Sequence, residues 1–218
     1  MTDKRLNIAV LFHEGGSGLG YLIKNDPNFN KEYKIALCFT DNKDASGIHK
    51  FNGVTVLDYK NWCTNNKHRY TSLTEKRDLY FEEVFNTFFK NKDIDLIVLS
   101  GFMLRIQKSF LDRFSKRIIN IHPADLRKLD ENGERKYVGI GSDVIRRVIE
   151  DGHKKTFSVI HFVTEKFDDG EIICISRPLY VENRTPEEQQ NLMKEKCDGP
   201  ALQCALQLII RGDIKIGE

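Results

Sequence analysis

Asp95-Leu96-Ile97-Val98-Leu99-Ser100 is an unbroken apolar run closed by a polar residue at each end. Rich in aliphatic and β-branched side chains, it reads as a central parallel strand covered on both faces. Upstream, Leu6 to Phe12 is a second such run, followed by the turn Gly15-Gly16-Ser17-Gly18 and a helical Leu19 to Lys24. Strands are expected at Lys34 to Thr40 and Val54 to Leu57, and a long amphipathic helix over Thr71 to Lys90, with Leu79, Val84, Phe85, Phe88 and Phe89 on its apolar face. Downstream, Ile106 to Phe114 predicts a helix and Arg117 to Ile121 another buried strand. Strands and helices that alternate in this way make a doubly wound α/β sheet, and its ligands gather at the carboxyl ends of the strands.

Asp125 to Val138 (DLRKLDENGERKYV) breaks the alternation with charged and turn-forming residues, as an exposed excursion with freedom to move would. A helix over Ser142 to Glu150 follows. Phe157 to Val163 and Glu171 to Arg177 then read as two strands joined by the acidic turn Thr164 to Gly170. Thr185, Pro186 and Glu188 form a strong helix start, with cap, first-turn proline and capping-box acid in their places. That helix is expected to reach about Arg211, with a Gly-Asp turn and a short terminal strand after it.

The chain has 218 residues, of which 34 are Lys or Arg and 32 Asp or Glu, so its formal charge is only +2 and no global field recruits nucleic acid or an anionic membrane. An ordinary globular composition, 40% hydrophobic and 30% charged, suits one compact unit. No apolar run is long enough to span a bilayer and the first residues are polar, so a cytoplasmic protein is expected. Cys38, Cys63, Cys174, Cys197 and Cys204 share no CxxC spacing and read as reduced spectators.

Three segments carry candidate chemistry. The Gly15 to Gly18 loop lets backbone N–H groups approach a phosphate at a helix N-terminus, with the Ser17 hydroxyl beside them. It is neither a P-loop nor GxGxxG, since Tyr21 stands where the last glycine belongs. In Asn120-Ile121-His122-Pro123, strand alternation sends Asn120 and His122 to one side, a pairing suited to acyl transfer because an amide N–H and an imidazole can stabilise charge growing on a carbonyl oxygen. In the third, His161 to Gly170, a carboxylate at Asp168 near His122 would raise the imidazole pKa, fix its tautomer and move a proton. His161 itself, inside a strand, reads as a packed, hydrogen-bonded core histidine.

In order along the chain, the GGSG loop, DLIVLSGFM, RIINIHP and FSVIHFVTEKFDDGEII together resemble the phosphoribosylglycinamide formyltransferase family. The resemblance covers most of the chain. It implies a Rossmann-like fold, a mainly parallel sheet flanked by helices with a C-terminal β-hairpin and long helix, in one domain with a phosphate-binding half (about 1–118) and a folate and catalytic half (about 119–218). It implies formyl transfer from 10-formyltetrahydrofolate, without metal, to the amine of glycinamide ribonucleotide. Asn120, His122 and Asp168 would be catalytic, with His161 supporting. Gly16, Ser17 and Gly18 would hold the substrate phosphate and Glu195 its ribose; Arg77, Met103, Leu104 and Thr164 to Asp168 would line the folate side. The implied mechanism is direct attack, Asn120 and His122 stabilising the oxyanion while Asp168 helps move the proton. The partners implied are small molecules, a phosphorylated amine and a reduced folate, with no nucleic acid and no membrane, in a monomer or homodimer.

The chain departs from the family pattern after NIHP, where ADLRKLDENGERKYVGIGSD replaces a shorter stretch and Gly141 stands at a usual histidine. Gly18 replaces an asparagine, Leu104 an arginine, and Asp169-Gly170 a double glycine. These changes bear on the acceptor, so another small amine, such as an amino sugar nucleotide, is the rival substrate. Two further rivals are a dinucleotide-binding protein using Asp41 as ribose acid and a non-catalytic folate or nucleotide binder. A methionyl-tRNA formyltransferase would need a further C-terminal domain.

Overall fold

The computed structural model describes residues 5–217, which divide into two compact units. The first comprises residues up to 16, 27–118 and the extreme C-terminus; the second comprises 17–26 and 119–216.

The elements run β1 (Leu6–Phe12), α1 (Ser17–Asn25), β2 (Tyr33–Thr40), β3 (Val54–Val56), α2 (Tyr59–Asn66), α3 (Leu73–Val84), β4 (Leu96–Leu99), α4 (Lys108–Arg113), β5 (Ile118–His122), α5 (Ser142–Glu150), β6 (Lys155–Thr156), β7 (Val159–Phe162), β8 (Ile172–Ile175), β9 (Leu179–Tyr180), α6 (Pro186–Met193) and α7 (Gly199–Ile210). In the first unit the strand order is β3-β2-β1-β4, all parallel. Ile8, Ala9, Val10, Leu96, Ile97 and Val98 are fully buried, as strands covered on both faces require. In the second unit β5, β7 and β8 pair antiparallel, β7 and β8 forming the expected hairpin, while β6 and β9 make a small separate ribbon. This is the Rossmann-like α/β class, with the parallel strands first and the hairpin after them.

Two long helices turn out to be interrupted. The Thr71 to Lys90 pattern becomes α3, capped by the Ser72 hydroxyl on Glu75 N–H, and then a π-helical turn at Phe85–Phe89. The C-terminal helix begins with the anticipated capping box at Thr185 and Glu188 but passes through a second π-helical turn, Lys194–Asp198, before α7. A widened turn opens one i→i−4 step, which helix-period reading does not register. The terminal strand does not form: beyond the turn at Gly212 no strand follows among the described residues, and Gly217 N–H makes a single bond to the Lys116 carbonyl. Helix α2 was not anticipated, because only Trp62 of its eight residues is buried; Asp58, which accepts from Asn61 N–H, was its one start signal.

Gly199 explains how α1 and α7 come together in the second unit. A Cβ there would lie 2.1 Å from the Tyr21 ring, so only glycine permits this helix contact.

Candidate functional site

Strand β5 delivers Asn120 and His122, β7 delivers His161, and the turn before β8 delivers Asp168; all four lie in the second unit. The register places Asn120 opposite His161 and His122 opposite Val159. Asp168 enters the cluster through a left-handed backbone (φ 50), an unusual conformation for a residue with a Cβ. His122 and His161 are each 1% exposed and Asp168 7%.

The hydrogen bonds define the tautomers. His122 Nε2 lies 2.7 Å from the Tyr137 carbonyl, which can only accept, so Nε2 carries the proton and Nδ1 presents a lone pair. That Nδ1 is 3.4 Å from Asp168 Oδ2. His161 Nδ1 lies 2.8 Å from the Phe162 carbonyl and by the same argument is an N–H donor. In the neutral ring its Nε2 lone pair faces Asp168 Oδ1 at 3.5 Å and takes a hydrogen bond from Asn120 Nδ2 at 3.2 Å. Two imidazole lone pairs and a carboxylate therefore converge in a buried place. The arrangement invites a cation between them, and a proton is the simplest one.

Its electrostatics depart from the sequence expectation. Burial pushes the His122 pKa down from 6.5 to about 4, outweighing the upward pull of Asp168; His161 and Arg147 push it further down. Asp168 does pull this imidazole upward as expected, but desolvation in a site this deep exceeds the attraction and the net shift is downward. Burial alone would raise the Asp168 carboxyl, but hydrogen bonding with His161, the charge of His122 and the Gly139 N–H (2.9 Å) together hold it below the ordinary carboxylate value. His122 rests neutral beside an ionised Asp168.

The pH dependence follows. The fold favours neutral His122, whereas the unfolded chain takes up a proton near 6.5, so this contribution to stability is present above 6.5 and lost as pH falls toward 4. Melting midpoints are expected to drop over that interval, and a His122→Gln variant, measured by the same calorimetric series, should show a shallower drop.

The support for this cluster comes from a strap, residues 136–139, at the end of the charged excursion. Tyr137 gives its carbonyl to His122, and Gly139 gives its N–H to Asp168. Arg147 on α5 clamps the strap by donating to the carbonyls of Lys136 and Val138. Tyr137 is further tied through its hydroxyl to Asp151 at 2.6 Å, and Arg135 donates to the Asp168 carbonyl at 2.6 Å. Sequence reading missed these groups: two are backbone atoms with no side-chain signature, and an arginine on an exposed helix reads as a solvated charge. The excursion itself is exposed from 127 to 134, yet Ala124, Asp125, Leu126 and Tyr137 are buried.

His122, His161 and Asp168 also satisfy the requirements of a metal set, since one donor atom from each lies within 4.8 Å of the others. Imidazole nitrogens and a carboxylate oxygen are donor types that divalent ions accept.

The remaining sequence candidates fall as follows. Within the first unit, Gly16 has φ +57 and a Cβ there would meet Phe51 at 2.9 Å, so the turn requires glycine. Arg77 on α3 is half-buried, and its Nε is buried without a hydrogen-bond partner. Met103 is exposed and Leu104 half-buried. Asp41 is taken by His13, whose Nδ1 lies 2.9 Å from its carboxylate, which occupies the acid a dinucleotide ribose would need. Within the second unit, the Ser17 hydroxyl donates to Asp198 at 3.3 Å, leaving its backbone N–H rather than its side chain for an anion; Gly18 follows it, buried, in the first turn of α1. Asp198, raised to about 6 by burial, also accepts from Ser158 at 2.6 Å. Glu195 is exposed and paired with Lys196, and the Thr164 hydroxyl closes its own turn on the Lys166 carbonyl at 2.9 Å. All five cysteines are free thiols.

Among the described residues no helix is long and apolar enough to cross a membrane. The fold is similar to that of glycinamide ribonucleotide transformylase 1 from Symbiobacterium toebii, with a TM-score of 0.75 and 22% identity over 99% of this chain and 92% of that one. In sequence the chain is 26% identical to a phosphoribosylglycinamide formyltransferase from Haemophilus influenzae, covering 87% of this chain and 81% of the relative. It is 28% identical to the chloroplastic phosphoribosylglycinamide formyltransferase of Arabidopsis thaliana, covering 85% of this chain but only 59% of that one. It also spans only 20% of the trifunctional purine biosynthetic protein adenosine-3 of Gallus gallus, at 27% identity. Residues 6–199 match the family model described as formyl transferase, and with the greater part of its length accounted for in this way, the chain belongs to the formyl transferase family.

Proposed function

We propose that the chain transfers a formyl group from 10-formyltetrahydrofolate to the amine of glycinamide ribonucleotide, as a cytoplasmic step of purine biosynthesis. The observation that carries this reading is the buried meeting of His122, His161 and Asp168 beside Asn120, a place prepared for one mobile proton. Formyl transfer needs such a place. The amine nitrogen bonds to the formyl carbon and the carbonyl electron pair moves onto oxygen. The amine's proton then passes to neutral His122, and the C–N bond to the folate breaks as its nitrogen receives that proton. Asn120 donates one N–H to His161, which orients the amide and leaves its second N–H for the oxyanion. His122, once protonated, is held by Asp168. The half-buried Arg77, with its unpartnered Nε, is suited to a folate carboxylate.

Arg147 acts here as a positioning residue. Arg147→Ala is expected to lower kcat by about 10²-fold, the scale of a 1 Å misplacement of a reacting group, while changing KM little. Loss of its charge should also move the apparent pKa of His122 upward in the kcat/KM profile, which a merely structural defect would not do. Added guanidinium should restore part of the rate.

The test of the function is a spectrophotometric deformylation assay of the purified chain with 10-formyltetrahydrofolate and glycinamide ribonucleotide. Turnover that depends on this acceptor supports the reading. Folate binding with turnover only on an amino sugar nucleotide, or with no turnover, overturns the acceptor or the activity respectively.

A further inference from the structure

A cavity of about 320 Å³ opens in the second unit, away from the donor atoms of the His–Asp cluster, between the start of the charged excursion and the segment leading into β7. Its floor includes the buried Tyr137 and Thr156, and Phe157 forms part of its wall. Arg127, Lys128, Lys154 and Lys155 surround it.

The charge is unbalanced. Asp125, the carboxylate in the lining, is already neutralised by Arg127 through two bonds of 2.8 and 2.9 Å. Lys128 and Lys154 make no ion pair among the described residues, and the Lys155 ammonium faces only the Tyr180 ring at 5.0 Å. Lys128 also acts on Asp125, which leaves the Lys154 and Lys155 ammonium groups for an anion, and lysine holds phosphate as a point charge.

The rest of the lining favours a flat ring. The Arg127 guanidinium lies 6.0 Å from the centroid of the half-buried Phe157, which gives an aromatic and a planar cationic surface on which a heterocycle can stack. The volume is at the lower end for small-molecule pockets, room for one base, sugar and phosphate and too little for a dinucleotide.

We infer that this cavity binds a nucleoside monophosphate, its phosphate among Lys128, Lys154 and Lys155 and its base against Phe157. The inference does not depend on the formyl-transfer reading. The site joins the charged excursion to the segment leading into β7, and Tyr137 in its lining is the residue whose carbonyl holds His122.

The test is isothermal titration calorimetry of the full chain with adenosine 5′-monophosphate, adenosine and inorganic phosphate. The monophosphate is expected to bind more tightly than either fragment. The exposed triple variant Lys128→Ala/Lys154→Ala/Lys155→Ala should weaken it by about tenfold or more, corresponding to at least about 1.4 kcal/mol. A Lys60→Ala variant, on exposed surface in the first unit, should leave the affinity unchanged. No binding, or binding equally tight in the triple variant, would place the nucleotide elsewhere and overturn the site; phosphate binding as tightly as the nucleotide would overturn the aromatic half of it. Because the readout is heat of binding, failure of the formyl-transfer assay leaves it intact.

Discussion

Asp168→Asn is expected to lower kcat by about 10² to 10⁴-fold, the range contributed by a positioned acid–base group, and at the same time to lower the melting temperature at neutral pH, because the fold favours the ionised carboxyl. The two effects share one cause. In the native chain the Asp168 carboxylate faces the lone pairs of His122 Nδ1 at 3.4 Å and His161 Nε2 at 3.5 Å. Asparagine has the same shape. Its carbonyl oxygen can keep the Gly139 N–H, but it lacks the charge that His161, His122 and that N–H together favour in the fold. What is lost is the negative charge that pulls the His122 pKa upward against burial. Without it the imidazole has still less capacity to hold the proton released by the attacking amine. Steady-state kinetics and calorimetry on the same preparation check both halves. Wild-type kcat in this variant would remove the charge of Asp168 from the mechanism, and an unchanged or higher melting temperature would show that the fold does not favour that charge.

Gly170→Ala should be among the most damaging single substitutions in the chain. An alanine Cβ at this position would lie 1.8 Å from the Phe162 carbonyl oxygen and 2.7 Å from its carbon, so backbone rather than a flexible side chain would have to move. The displacement falls on the hairpin at the place where Phe162 N–H bonds the Glu171 carbonyl at 2.9 Å. Overpacking strain together with a broken ladder bond amounts to about 2 to 5 kcal/mol, enough to unfold a marginal protein. Urea denaturation followed by circular dichroism gives the value. A midpoint within error of wild type would mean that the β7 and β8 hairpin can open without cost. Since Asp168 sits two residues earlier in a left-handed conformation, the variant that survives should also lose activity.

Much of this arrangement could be read from residue order. Alternation along Asn120-Ile121-His122 is a property of strands, and the capping signals at Thr185 and Glu188 act within one turn, so both were legible without any long-range information. The approach of Asp168 was legible because a hairpin brings its own turn back to its strand. Less could be read where a contact depends on backbone atoms. The Tyr137 carbonyl and the Gly139 N–H are common to every residue, and nothing in the letters of the excursion marks those two. The depth of the site was also hidden: an acid next to a histidine suggests a raised pKa, and only the 1% exposure of His122 reverses the sign. The terminal strand failed because a short apolar–polar alternation is not sufficient when no neighbouring edge receives it. Ser17 was expected to offer its hydroxyl outward, but a buried carboxylate 181 residues away in sequence had claimed it.

The excursion after β5 has a further consequence for how its length can change. Its outer part folds back on itself through the Leu129 and Arg135 bridge, and Gly133 at its tip has no atom within 4 Å of where a Cβ would lie. Within this loop, the groups that touch His122 or Asp168 begin at Arg135. Insertions or deletions near Glu131 to Gly133 therefore alter only how far the loop extends into solvent, whereas one residue added between Tyr137 and Gly139 would put the carbonyl and the N–H out of step with each other. A loop built in this way separates a region where sequence length can drift from one where it is counted to the residue, and related chains can differ widely in the first without disturbing the second.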